Sequence, residues 1–339
     1  MRKISLIPAR LYQRYRSLFD RLLPALGMAG LFTLTAQATG AFSPEWIMFI
    51  AAGVLIAGLV APAAGYVLFI LALALPLFSI SIYVAALALA VLILPSFFLT
   101  RHIAAVVLVL AAPVLSRYRI ALMIPFLAGI WWGEWGGVLV GLGSASWLKL
   151  LAGMCGAAPD LAQLSGQPLA ADSLIARFRE ANSLQTLLWS VEPLVSDPQV
   201  LLLHILQILA WGLAGYGVGL VRHRIDGMQR PGVGLLAAVS AGLLGFGIGG
   251  VGAPAALGLA DVSAVHLSFL AECAWNGVCA LGLYAAYRSL ARPAVSPAPG
   301  RASARRRSAR PSPRLDPAPA VRPQPRDEEQ VDIIMLDLD

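Results

Sequence analysis

The sequence predicts an all-α, polytopic membrane bundle of about ten transmembrane helices, with eight meeting the same constraints, followed by a disordered C-terminal tail. Three observations predict it. Hydrophobic residues make up 58% of the 339, charged residues only 13%, and mean hydropathy is +0.76, whereas a soluble domain carries about 25% charged residues. Almost everything between Leu22 and Tyr287 is apolar, with arginine gathered at the two ends, so the chain divides into spans of about 20 residues. Small residues also recur at every fourth position, at Gly129, Gly133, Gly137, Gly141 and Ala145, before Lys149 interrupts and Gly153 resumes the series. Four residues turn a helix by about 400°, so these positions form a strip that a second helix can approach closely. Each glycine costs a helix in water about 1 kcal/mol relative to alanine. In hydrocarbon the penalty on unpaired amides enforces the helix regardless.

Residues 1–21 hold Arg2, Lys3, Arg10, Arg14, Arg16 and Arg21 with apolar residues at three-to-four spacing, the pattern of a basic interfacial helix on an anionic leaflet. The first span follows at 22–42. From Trp46 to Thr100 no side chain is charged; this length suits three short spans, broken near Pro62 with Gly65 and at Ser79 to Ser81. Two runs of about 14 residues, 103–116 and 120–133, flank Arg117-Tyr118-Arg119. Each reaches about 21 Å, short of a ~30 Å hydrocarbon core, which leaves open two thin spans or a re-entrant pair. The glycine-rich helix runs over 135–157, completing a membrane region at 22–157.

Residues 158–199 form the one sizeable loop, placed outside the cytoplasm, with an amphipathic segment at 183–195. Asp197-Pro198 resembles a helix N-cap with proline in the first turn and opens the second membrane region, 200–287. Its spans are 200–221, 232–253 and 266–287, and Ala241, Gly245, Gly249 and Ala253 repeat the four-residue spacing. Residues 288–326 are rich in proline and arginine, too polar and too stiff to bury a core. The end, 327–339, sets acids around Val331, Ile333, Ile334, Leu336 and Leu338, the composition of a docking peptide for a cytoplasmic protein. Basic short loops stay in the cytoplasm, which puts both termini, Arg101-His102 and Arg222 to Arg230 on that side of the cell (inner) membrane. Arg117 and Arg119 then violate the rule.

The residues exclude several chemistries. Cys155, Cys273 and Cys279 have no zinc-ligand spacing, and no G-x-S-x-G, H-E-x-x-H or Walker loop occurs. No enzyme activity, cofactor, metal or nucleic-acid partner is expected. Ionisable residues inside a bilayer are costly and are functional candidates by default. Glu134 stands among Trp131, Trp132 and Trp135, a setting that suits either an interfacial anchor or contact with a ligand. Lys149 suits snorkelling to the outer surface as well as it suits a ligand role. His204, one turn inside its span, is expected to hydrogen-bond across helices. Glu272 and Asn276, four residues apart, with Asp261 and His266 nearby, could line a polar cavity or act as packing glue.

Two resemblances bear on function. Pro125, Ala128-Gly129, Trp135 and Trp147-Leu148, followed by Pro193, Asp197-Pro198, Leu201 to Leu203, Ala210-Trp211 and Val221-Arg222, resemble the multi-span membrane region of some bacterial serine/threonine protein kinases. The kinase domain is missing, so the resemblance implies a signalling or scaffold module that recruits a partner through its tail. The stretch from Gly133 to Gly143 is similar to the substrate-binding membrane subunits of energy-coupling-factor vitamin transporters. That likeness implies a transporter component, with Trp131, Glu134 and Trp135 contacting a small ligand.

Overall fold

A computed structural model describes residues 12, 14–99, 102–156, 171–225, 231–259 and 267–291. The chain is 90% helix with no strands among the described residues. The predicted docking peptide, Asp261, His266, the predicted disordered segment beyond residue 291, and residues 1–11 and 13 of the basic N-terminal segment lie outside them.

Helix α1 (Arg16–Thr39) runs unbroken from the last basic residues of the N-terminal segment into the first apolar stretch, so residue 21 marks no boundary in the backbone. The uncharged stretch folds as three helices, α2 (Pro44–Val60), α3 (Pro62–Ile80) and α4 (Ile82–Leu99). Their starts follow local chemistry. Pro44 and Pro62 occupy first helical positions, where a missing N–H costs nothing, and the α3–α4 break falls at Ser81. Gly65 is not part of a break. A Cβ there would lie 2.5 Å from the backbone nitrogen of Gly58, so this glycine lets α2 and α3 touch.

Helices α5 (Ile103–Leu110) and α6 (Ala112–Arg117) are two short pieces of one leg, separated where Pro113 removes a donor and crowds the preceding turn. After a turn comes α7 (Met123–Met154), which is interrupted at Gly133. Beyond it lie α8 (Ala171–Phe178), α9 (Ser183–Val195), α10 (Pro198–Ile225), α11 (Pro231–Phe246), a π turn at Gly247–Gly252, α12 (Ala253–Ala256) and α13 (Leu267–Ala291). Asn182 and Gln185 cap α9 reciprocally, at 2.8 and 3.0 Å. Asp197 Oδ1 accepts from the Gln199 amide at 2.8 Å, with Pro198 opening α10, the start its sequence suggests.

Among the described residues, six helices are long and apolar enough to cross a membrane: Arg16–Thr39, Pro62–Ile80, Met123–Met154, Pro198–Arg222, Val233–Ala256 and Phe269–Arg288. The expected count of about ten is not confirmed. The difference lies in short elements: Pro44–Val60 and Ile82–Ile93 are shorter apolar helices, and α5 with α6 spans only residues 103–117. The largest buried cluster joins α7 to α10, α11 and α13 around Phe126, Trp211, Phe246 and Phe269. A second unites α1 to α5 around Phe32, Tyr66 and Phe69.

Candidate functional site

Helix α7 is the centre of the site, and Gly133 decides its shape. Its φ of 75° and ψ of −163° fall in a region open essentially to glycine alone. Gly129 and Gly137 would stand about 12 Å apart in a continuous helix. Instead a Cβ on Gly137 would lie 3.0 Å from the Gly129 Cα, so the chain doubles back at Gly133. Residues 123–132 form a short arm and 134–154 a long one. The small-residue series therefore does not run along one straight helix as the spacing suggested, because Gly133 has left the helical region.

The long arm packs antiparallel on α10, backbone to backbone. The Gly133–Glu134 peptide meets Gly219, Gly137 meets Gly215, and a Cβ on Gly141 would lie 2.5 Å from the carbonyl oxygen of Trp211. Each four-residue step along α7 is matched by a step of four back along α10. The short arm shares the seam, since a Cβ on Gly129 would also lie 2.5 Å from the Gly215 carbonyl oxygen. On the other side of α10, Cβ atoms on Gly245 and Gly249 would lie 2.7 and 2.9 Å from the backbone of Ala214 and Ala210.

Continuing this register brings Lys149 to His204 and Gln207, three residues apart on one face of α10. Lys149 is 1% exposed and the other two 4%. Its Nζ is hydrogen-bonded to His204 Nδ1 and donates to Gln207 Oε1 at 2.7 Å. The snorkelling reading of Lys149 is thus overturned: glycines above and Gly153 below, where a Cβ would lie 2.7 Å from the Ser190 carbonyl oxygen, seal its face against α9 and α10. His204 does bond across helices. Gln207 was not singled out from the sequence, although its three-residue spacing from His204 was the available signal.

A second polar assembly holds the turn before the short arm. Arg119 Nη1 lies 3.4 Å from Glu272 Oε1, and the Asn276 amide donates to the carbonyl oxygens of Arg119 at 2.9 Å and Glu272 at 2.7 Å. Arg119 itself has φ 59°. At the other end of the short arm Trp131 stacks edge-on against Tyr287, with centroids 6.0 Å apart. Asn276 and Tyr287 are eleven residues apart, about 16 Å along α13, so the short arm lies alongside that helix. All ten residues from Ala121 to Ile130 are buried. Val109 of α5 reaches Gly143, 3.6 Å from a Cβ built there.

The remaining expected ligand contacts do not converge. Trp135 is 70% exposed and faces away from the seam; Trp131 is committed to Tyr287; Glu134 follows the turn at Gly133, its amide against Gly219. The Glu272–Asn276 pair binds the Arg119 turn, a partner 153 and 157 residues away that no local pattern signals. At the end of α7, burial pushes the Cys155 thiol up, with a Ser173 hydrogen bond and the Arg177 charge acting against it. No group of three metal-ligating side chains occurs among the described residues. Compared with known protein families, curated proteins and solved structures, the chain matches none.

Proposed function

We propose that this chain is the membrane component of a small-molecule transporter, lying in the cell membrane with both termini in the cytoplasm. One observation carries the reading: residues 103–132 form two half-length legs that turn at Arg117 to Arg119, and residues 121–130 of the second leg are buried throughout. Irregular backbone at membrane depth is tolerated only where protein buries it or it lines a cavity, and carriers use broken helices of this kind to form binding sites. A re-entrant pair also removes the charge-rule violation, because Arg117 and Arg119 then stand at its tip, with Arg119 paired to Glu272, and cross no face. The buried Lys149–His204–Gln207 group adds the intramembrane ionisable residues that mark solute or ion pathways.

The scaffold reading, in which 327–339 recruits a cytoplasmic protein, draws its support from the sequence alone. Contact of residues 1–21 with anionic lipid is compatible with either reading. Proteoliposomes of the full chain on solid-supported membranes, challenged with a panel of small charged and polar solutes, test the proposal. One solute class should give a current that Gly133→Ala diminishes and deletion of 327–339 leaves intact. Silence across the panel, with a cytoplasmic protein captured by the full chain and lost on that deletion, would replace transport with the scaffold reading.

A further inference from the structure

Lys149 and His204, with Gln207 bonded to the lysine, are a deeply buried pair of titratable side chains that joins two separate membrane-crossing helices. Its geometry restricts its protonation. A hydrogen bond between Nζ and Nδ1 requires one nitrogen to hold a proton and the other to offer a lone pair. Gln207 Oε1 accepts from the same Nζ at 2.7 Å, and a carbonyl acceptor favours the ammonium form. The arrangement accommodates a lysine ammonium donating to a neutral imidazole. Adding a proton to His204 Nδ1 removes the lone pair and sets two cations side by side where burial weakens solvent screening. That contact is then repulsive, between backbones held close at Gly141 against α10 and at Gly153 against α9.

We infer that Lys149 and His204 form a proton-binding site in which protonation of His204 separates the Lys149 end of α7 from α10. The proton comes from hydronium: a bond from His204 Nδ1 to hydrogen forms, one O–H bond breaks, water is left, and Lys149 keeps its charge. The reverse step restores the contact. Gln207 is a positioning residue that holds the ammonium in place. Among the described residues, the charged and titratable groups on the neighbouring elements are engaged or placed elsewhere. On α8 and α9, Arg177 and Glu192 pair with each other at 3.2 Å. Thr186 and Ser190 of α9 are hydroxyls bonded to backbone carbonyls of their own helix segment. Cys155 lies beyond Gly153 beside Ser173 and Arg177, Tyr83 of α4 is exposed, and α5 is IAAVVLVL, without a titratable side chain. As a coupling site for solute movement the inference rests on the transport reading. The proton-binding step does not.

The test uses the full chain in bilayers, with its three cysteines replaced by alanine and spin labels at the exposed positions Ser146 and Leu202, on α7 and α10. Lowering the pH from 8 to 4.5 should lengthen the label separation by several ångströms. His204→Gln, which keeps an acceptor for Lys149, should hold the alkaline separation at both pH values. Lys149→Met should abolish the movement, and 15N-histidine spectra of that variant should show His204 taking up its proton about tenfold more readily, one unit on the pH axis. A separation that ignores pH in the parent chain overturns the inference, as does a His204 titration identical with and without Lys149. If solute currents are absent while the pH response is present, the transport reading fails and the proton site stands. If currents are present without the pH response, the proton site fails and the transport reading stands.

Discussion

Helices α2 to α4 and the α7–α10 pair are built from the same apolar and small residues, yet they close on different interiors. In the first region Gly65 meets Gly58 across a seam, and Tyr66 Oη donates to the Leu92 carbonyl at 2.8 Å. In the second, the seam from Gly133·Gly219 through Gly141·Trp211 leads to a buried lysine, histidine and glutamine. Close backbone approach is thus a packing device common to both. What distinguishes α7–α10 is that the device encloses polar side chains, which a protein interior penalises unless they bond to one another.

The contrast between the two regions is challenged most severely at the seam itself. Gly215→Leu drives a side chain into the Gly137 backbone, and since backbone cannot repack, the loss should reach or exceed the upper end of the usual overpacking cost, about 3 kcal/mol. Gly53→Ala in the first region meets only Leu68 at 3.8 Å and should be neutral or slightly stabilising. Denaturation of the two variants in detergent micelles reads the contrast. Lys149→Met should cost about 1–3 kcal/mol, because it leaves His204 and Gln207 buried without that donor. The triple variant Lys149→Met, His204→Leu, Gln207→Leu should recover most of it, whereas recovery is impossible if the group holds the bundle together.

Smaller effects separate packing from strain. Gly133→Ala adds a methyl to open space, with nothing within 4 Å, so its cost is backbone strain alone, about 1–2 kcal/mol. Gly30→Ala, equally open but with no left-handed φ, should instead gain up to about 1 kcal/mol. Glu272→Gln removes a half-exposed ion pair at 3.4 Å and should cost less than about 1 kcal/mol, provided that Asn276 keeps its bond to the Arg119 carbonyl. A larger loss would move the site's centre of gravity to that turn.

How much of the molecule is legible in the sequence varies with the range of the interaction. Composition gives the helical class, and local chemistry gives Pro62, Ser81 and the Asp197-Pro198 cap. The spacing marks Gly137 and Gly141 as a contact strip, but not its partner, because the matching positions on α10 are Trp211, Gly215 and Gly219, a series masked by its large member and by Gly212 and Gly217 beside it. In the sequence Gly133 is one more member of the strip, since a glycine that permits a left-handed turn and one that permits close packing are the same letter. Lys149 can be read as a snorkelling residue because depth along a helix is readable and the facing side chains are not. Its bond to His204 crosses 55 residues and depends on a register that only the folded seam sets. The same holds for Arg119 and Glu272.

The reversal at Gly133 is the claim on which the site, the re-entrant legs and the proton couple all depend. Spin labels at Tyr118 and Ser146, both exposed, in the cysteine-free chain measure it directly. With the short arm folded back beside the long one, the labels should lie within about 25 Å. A separation of about 34 Å or more, the reach of an uninterrupted helix from residue 123 to 146, would contradict it.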